Sequence, residues 1–237
     1  LRDRAIEELV AEVEWPEFFD TYTVKRAFEK RILPDYLMAI RWFGGKSKNI
    51  VSIDIDRFPS TQIGADTAFF LHVGVRYTDG LPETYFLPTQ FVTQPERILH
   101  YLKNAPQGVV CYLKTPTAEG IIVDAIYEEP FRNDLFLRMK TNSLLPVSNG
   151  ALRFEAGKVL EELNAEREDI SSEILKAEQS NTSVIYNNQF FFKIYRKLDT
   201  DINPDLELVR FLSEKTDFRN APRYGGGIQL EDHQQKS

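Results

Sequence analysis

Apolar and polar residues alternate along several stretches of this chain, and such alternation predicts strands that bury one face. Residues 50–58 show the pattern clearly, with Val51, Ile53 and Ile55 on one predicted face and serine and aspartate on the other. The further predicted strands are residues 68–77, 83–87, 109–114, 121–125, 184–186, 190–196 and 228–230. Turn residues such as Thr78-Asp79-Gly80 lie between neighbouring strands, so we expect antiparallel hairpins.

Other stretches repeat their apolar residues at helical spacing. Residues 1–14 predict an amphipathic helix with Leu9 on its buried face. The further predicted helices are residues 16–30, 34–40, 95–102, 131–140 and 203–215. The last of these has a clear start signal, because Asn203 is a good N-cap, Pro204 suits the first helical position and Asp205 suits the first turn.

The mixture of helices with antiparallel hairpins predicts an α+β fold. We divide the chain into a first unit of residues 1–107, a second unit of residues 108–230 and a polar tail of residues 231–237. Within the second unit, residues 143–150 are predicted as a loop. The Glu-rich residues 151–169 are predicted as a solvated stretch.

Composition narrows the function. The 237 residues carry a net charge of −7, which argues against a nucleic-acid-binding surface. The single cysteine, Cys111, excludes an internal disulfide framework and indicates a reducing, cytoplasmic location; its apolar neighbours predict a buried thiol. No apolar run has membrane-spanning length, and the three histidines show no zinc-site spacing, so neither a membrane nor a metal site built from such residues is predicted.

One stretch suggests phosphate chemistry. Ser180, Asn181, Thr182 and Ser183 form a predicted polar loop, which precedes a strand carrying Lys193 and a helix carrying Glu207 in its first turns. Phosphate-binding sites use the same order of loop donors, a fixed cation and an acidic partner for that cation. From the residues alone, the alternative is an ordinary polar turn, a structural lysine and a solvated glutamate that pairs with Arg210 on its own helix.

The same stretch resembles the maltokinase family. The resemblance covers nearly the whole chain in the same order, and no single motif decides it. The matching stretches are Leu33-Pro34-Asp35-Tyr36-Leu37, Arg41-Trp42-Phe43-Gly44-Gly45-Lys46, Tyr77-Thr78-Asp79-Gly80, Asp124-Ala125-Ile126-Tyr127, residues 178–186, residues 192–198 and residues 203–207.

The resemblance implies a kinase-like fold of the aminoglycoside-phosphotransferase type. Residues 1–107 would be its N-terminal cap domain and residues 108–230 its N-lobe. The implied reaction transfers the γ-phosphoryl group of ATP, with Mg²⁺, to maltose and gives maltose 1-phosphate for glucan synthesis. Lys193 would contact the α- and β-phosphates, Glu207 would orient Lys193, and Ser180, Asn181, Thr182 and Ser183 would line the phosphates. Such enzymes often occur fused to a trehalose synthase, which is therefore an expected partner.

The sequence departs from the family in one respect. The family's catalytic loop centres on His-Gly-Asp and a magnesium-binding aspartate follows it, and neither motif is present here. We therefore expect a cap with an N-lobe, without its C-lobe, that has no catalytic or metal-binding residues of its own and is inactive alone.

Two other functions stay open at this point. The first unit is alternatively a docking module that uses exposed Trp42, Phe43 and Phe58 as its contact surface, unless these aromatics pack inside the cap. The intact protein is alternatively a related kinase of small sugars or alcohols with a different acceptor.

Overall fold

Strands form the centre of the molecule. The computed structural model describes residues 4–147, 150–162, 170–175, 180–199 and 203–232, and these residues form a mixed α+β structure, as predicted. The strands are β1 (Glu8–Val10), β2 (Ile50–Arg57), β3 (Ser60–Ile63), β4 (Asp66–Tyr77), β5 (Glu83–Val92), β6 (Val109–Lys114), β7 (Glu119–Asp124), β8 (Leu144–Val147), β9 (Gly150–Ala156), β10 (Ser172–Leu175), β11 (Asn181–Tyr186), β12 (Phe190–Tyr195), β13 (Lys197–Leu198) and β14 (Gly226–Asp232).

Helices connect and cover these strands. The α-helices are α1 (Tyr22–Ala27), α2 (Leu33–Ala39), α3 (Pro95–Asn104), α4 (Glu129–Lys140), α5 (Lys158–Glu161) and α6 (Pro204–Lys215). A π-helical turn at Phe28–Ile32 joins α1 to α2. Short 3₁₀ turns lie at Trp15–Glu17, Gly44–Ser47, Pro106–Gly108 and Ala125–Tyr127.

The main sheet has eight strands in the described part of the chain. Its order is β1-β6-β7-β5-β4-β2, while β3 pairs with β4 and β13 pairs with β5. All pairs are antiparallel except β1 with β6. Because β7 pairs with β5, this sheet continues across the predicted division between residues 107 and 108.

Two smaller sheets lie beside the main one. The first, which we call the lysine sheet, has the order β10-β11-β12, and the second has the order β14-β9-β8. The hairpin between β11 and β12 turns at Asn187 and Asn188, whose φ angles are 50° and 52°. Asparagine tolerates this left-handed conformation, and the Gln189 amide closes the turn by donating to the Tyr186 carbonyl at 2.9 Å.

The core lies on both faces of β4. Phe69 belongs to a cluster with the rings of Trp15, Phe18, Phe19 and Phe28, so α1, the π turn and α2 cover that face. Phe70, the next residue, points into a second cluster that α4 shares with the two smaller sheets. Alternation along one buried strand thus joins the layers of the molecule.

The predicted helix at residues 1–14 is wrong within the part of it that the structure describes. Residues 8–10 instead form β1, which pairs in parallel with β6 and buries only Leu9. The backbone amide of Ala11 continues the pairing by donating to the carbonyl of Lys114 at 2.8 Å. A non-local partner, about a hundred residues away, therefore overrides the local helical pattern, and residues 1–3 lie outside the described residues.

Three other local predictions need correction. Residues 144–147 of the predicted loop form β8. Residues 150–156 form β9, which lies between β8 and β14 in its sheet and buries Leu152 and Phe154 in the second core cluster; residues 163–169 lie outside the described residues. Val51 is exposed rather than buried, because a register shift at the start of β2 breaks the alternation.

The two aromatic residues that follow α2, Trp42 and Phe43, are buried. Trp42 and Phe43 lie in the core, and Phe58 packs against it. This removes the exposed contact surface that a docking module would need there.

Of the predicted tail, residues 231 and 232 belong to β14, and residues 233–237 lie outside the described residues.

A buried ion pair joins the lysine sheet to the main sheet. Arg196 Nη2 lies 2.6 Å from Asp124 Oδ2, and the two side chains are 1% and 0% exposed. Arg196 Nε also donates to Thr182 Oγ1 at 2.9 Å, and the guanidinium lies over the Trp42 ring at 4.9 Å. Burial raises the pKa of Asp124, and Arg196 opposes that rise.

Replacing Arg196 tests the energetic weight of this pair. Arg196→Met leaves the Asp124 carboxylate buried without its cation, so we expect the free energy of unfolding to fall by about 3–5 kcal/mol. The matched control is Arg153→Met, which breaks a pair with Glu231 at the surface and should cost no more than about 1 kcal/mol. Urea denaturation of both variants measures the two losses in the free energy of unfolding. Equal losses would contradict the larger contribution expected of the buried pair.

A second polar cluster fixes the strand that follows Arg196. Glu83 accepts hydrogen bonds from the hydroxyls of Tyr77 and Tyr85 at 2.6 and 2.7 Å and from the ammonium groups of Lys48 and Lys197 at 2.9 Å each. Burial alone would raise the pKa of Glu83, but these four donors outweigh it and lower the pKa to about 2. Burial and the Glu83 carboxylate also raise the pKa of Tyr85 to about 12.

The Glu83 cluster predicts an acid-dependent contribution to stability. Because the pKa of Glu83 is lower in the folded than in the unfolded chain, the contribution is present above the ordinary value of 4.5 and is lost as the pH falls toward about 2. We expect Glu83→Gln to lose less stability than the wild type across this window, with Tyr85→Phe between the two. Denaturation series at several acidic pH values measure this, and parallel curves for all three proteins would refute it.

Candidate phosphate site on the lysine sheet

The predicted polar loop is mostly a strand. Ser180 precedes β11, whereas Asn181, Thr182 and Ser183 belong to it. The antiparallel register places Ser183 opposite Lys193 on β12. The structure therefore brings the hydroxyl-bearing stretch and the lysine together across a strand pair rather than through a loop. Glu178, at the start of the resembling stretch, lies outside the described residues.

Alternation then divides the hydroxyl-bearing residues between two faces. Thr182 faces inward and binds Arg196. Asn181 and Ser183 share the outer face with Lys193. Ser183 is completely buried, and its Oγ has no hydrogen-bond partner among the described residues. A buried hydroxyl without a partner costs free energy, so this face has an unused polar group beside a cation.

The Lys193 ammonium is held by a carboxylate and an aromatic ring. Its Nζ lies 2.8 Å from Asp205 Oδ2 and 5.0 Å from the centroid of the Tyr195 ring. The Tyr195 hydroxyl lies 3.4 Å from the same carboxylate oxygen. The Lys193 side chain is 31% exposed, so its charge is only partly hydrated. Lys193 lowers the pKa of Asp205 through this hydrogen bond.

Helix capping positions Asp205. The Asn203 side chain accepts a hydrogen bond from the Asp205 amide at 3.0 Å, and Pro204 occupies the first position of α6. These are the predicted N-cap and first-turn residues, and the structure confirms them. A carboxylate in the first helical turn is also favoured by the helix dipole.

The predicted pairing of Lys193 with Glu207 is wrong. Among the described residues Glu207 forms no ion pair with Lys193, and its side chain is exposed. Two residues correspond to about 200° around a helix axis, so Asp205 and Glu207 cannot both face β12. The alternative partner, Arg210, binds Glu155 and Glu214 instead. Whether Glu207 contributes to nucleotide binding stays a prediction.

The sequence pattern does not predict two of the contacts in this region. The pattern predicts Asp205 as a helix-start residue, and it has no signal that separates Asp205 from Glu207 as the partner of Lys193. Arg196 carried such a signal, because it continues the buried alternation of Phe190, Phe192 and Ile194 on β12. A charged residue in that position indicates a buried ion pair.

The outer face of the lysine sheet is suited to an anion. The ammonium of Lys193 and the amide of Asn181 lie on this face and can donate hydrogen bonds, whereas the hydroxyl of Ser183 belongs to the same face but is fully buried. An ammonium and an amide are groups that can donate hydrogen bonds to phosphate oxygens. Among the described residues no group of three or more histidine, cysteine or acidic side chains is placed to hold a metal ion, so we assign no Mg²⁺ ligand within them.

We also considered the cysteine, membrane-spanning helices and known protein families. Cys111 is a free, fully buried thiol as predicted, and burial raises its pKa, so it is no nucleophile. In the described ranges no helix is both long and apolar enough to cross a membrane. A scan of the sequence against protein-family models finds no match. The maltokinase resemblance therefore rests on the sequence stretches given above.

Proposed function

We propose that this chain provides the cap and the nucleotide-binding lobe of a maltokinase-type enzyme. The intact enzyme uses ATP to phosphorylate maltose at its anomeric hydroxyl and forms maltose 1-phosphate. The observation that carries this proposal is the arrangement of Lys193 on the outer face of a small antiparallel sheet, opposite Ser183 and beside a carboxylate from the next helix.

The order of elements supports the proposal. A hairpin of β10 and β11 precedes the lysine-bearing β12, and α6 follows and supplies the acidic partner. The N-lobe implied by the sequence resemblance has the same order of hairpin, lysine strand and acidic helix.

Lys193 would act through charge and position. Its ammonium carries three N–H donors and binds a carboxylate oxygen of Asp205, and an ammonium can also bind phosphate oxygens. The ring of Tyr195 and the neighbouring strand restrict the side chain, which lowers the entropy lost on binding. Phosphoryl transfer depends mainly on such positioning and on neutralised charge.

The trehalose synthase partner and the identity of the acceptor rest on the resemblance alone. A related kinase of another small sugar or alcohol would use the same nucleotide site. Coupled ATP-consumption assays of the full-length protein with maltose, glucose and trehalose separate these cases. We expect turnover with maltose. Turnover with only one of the other sugars would identify that sugar, instead of maltose, as the acceptor.

Nucleotide binding tests the central residue. We expect the described chain to bind MgATP and Lys193→Met to weaken that binding about tenfold or more, because the variant removes the cation opposite the phosphates. The matched control is Lys114→Met on β6, which removes a surface lysine paired with Glu119 and should bind as the wild type does. Isothermal titration calorimetry measures all three proteins, and equal affinities would make Lys193 a structural residue.

A further inference from the structure

We propose that α6 is a self-association surface, on which a second copy of this chain packs its own α6 in antiparallel orientation about a twofold axis. The outward side of α6 carries large apolar side chains that are exposed to solvent. The charges on the same side are placed so that the helix, turned end for end, complements itself. The proposal concerns the surface of the chain and does not depend on nucleotide binding.

One side of α6 holds the helix on the rest of the protein. Leu206 lies beside β14, and Ser213 Oγ accepts a hydrogen bond from the Tyr224 amide at 2.9 Å. Arg210 Nη2 lies 3.0 Å from Glu155 Oε1 on β9. Since these three positions lie on one side of a helix, the opposite side faces away from the sheet.

The opposite side of α6 is a stripe centred on Phe211. Glu207, Leu208 and Lys215 lie within about 60° of it around the axis, because a helix turns by about 100° per residue. All four side chains are exposed, and Leu208 and Phe211 are 57% and 55% accessible. In fact no residue of this twelve-residue helix is buried. Large apolar side chains that adjoin on an exposed face indicate a contact with another molecule.

Two charges of this stripe have no ion pair among the described residues. They are Glu207 and Lys215, whereas Arg210 and Glu214 pair with each other on the same helix. Glu207 precedes Phe211 by four residues and Lys215 follows it by four. In two antiparallel helices that meet at Phe211, Glu207 of one copy therefore lies level with Lys215 of the other. The result is two equal ion pairs, as a twofold interface requires.

A groove beside Phe211 gives the second copy room to pack. It has a volume of about 200 Å³ and lies between α6 and β14, with Phe211, Glu214 and Gln229 among its lining residues. In the antiparallel arrangement Leu208 of the second copy lies level with Glu214 and so over this groove. The Phe211 rings of both copies meet at the axis, where they exclude water from the centre of the contact.

The charge pattern favours a second copy over a partner of uniform charge. A partner surface of one sign would place a like charge against either Glu207 or Lys215, which costs affinity. The same helix in reverse supplies both opposite charges at the required spacing. A single pair of helices is smaller than a standard interface, so we expect a weak, concentration-dependent dimer.

Sedimentation equilibrium of this chain without nucleotide tests the proposal. We expect a dimer with a dissociation constant on the order of 10 μM. Phe211→Glu places two like charges at the axis and should weaken association about tenfold or more. The matched control is Leu99→Glu, which changes a similarly exposed apolar residue on α3 and should leave the dimer unchanged.

Charge reversal tests the antiparallel register. Glu207→Lys and Lys215→Glu should each weaken association, because each brings two pairs of like charges together. The two substitutions combined restore both opposite-charge pairs in the reversed sense, so the double variant should associate more tightly than either single variant. The substituted residues are exposed, and thermal midpoints measured in parallel check that the variants stay folded.

Three results would overturn the proposal. The first is a chain that stays monomeric at about 100 μM, well above the expected dissociation constant. The second is a dimer that Phe211→Glu leaves intact, since the contact would then lie elsewhere. The third is a double charge variant that associates no better than the single variants, because the ion pairs between the two copies would then not exist.

Discussion

The buried ion pair of Arg196 and Asp124 is the interaction on which the arrangement of sheets depends. Asp124 ends β7 of the main sheet, and Arg196 immediately follows β12 of the lysine sheet. Two charges in an apolar interior are tolerated only when both are paired and hydrogen-bonded. The pair therefore restricts how the lysine sheet lies on the main sheet, and the contacts of Arg196 with Thr182 and Trp42 restrict it further.

This constraint determines which face of the lysine sheet is free to bind a ligand. The inner face packs against α4, where the Phe136 and Tyr186 rings lie 4.7 Å apart and the Tyr186 hydroxyl donates to the Arg132 carbonyl. Since Arg196 must point inward, strand alternation directs Lys193 outward. The outer face thus combines a cation with polar groups of β11, and the geometry of the candidate site follows from the same residue that joins the sheets.

The elements that local signals define were predictable from the sequence. The hairpin of β4 and β5, the hairpin of β11 and β12 and the capped start of α6 all have turn or capping residues at the required positions. The helix predicted at β1 is wrong because β1 pairs with β6, and no local sequence pattern indicates a partner so far along the chain. Residues 184–186 are predicted as a strand, but residues 181–183 of the same strand are predicted as a loop because they are polar, although Thr182 and Ser183 are buried.

The candidate site was predictable in composition but not in geometry. Lys193 and the hydroxyl-bearing residues were identified, since phosphate binding needs those residue types in that order. The partner of Lys193 is not predictable from the sequence. The choice between Asp205 and Glu207 depends on how α6 is rotated about its axis, and packing determines that rotation. The buried pair of Arg196 is not predicted, although Arg196 directly follows β12 and continues the inward-facing alternation of that strand.

Native-state hydrogen exchange of the Arg196→Met protein tests most directly whether the buried pair holds the lysine sheet in place. The account predicts that the free energy of opening falls more for the amides of β11 and β12 than for those of β4 and β7, because the lysine sheet loses its anchor while the main sheet keeps its own hydrogen bonds. An equal fall in all four strands would contradict the account, since the pair would then contribute only to global stability.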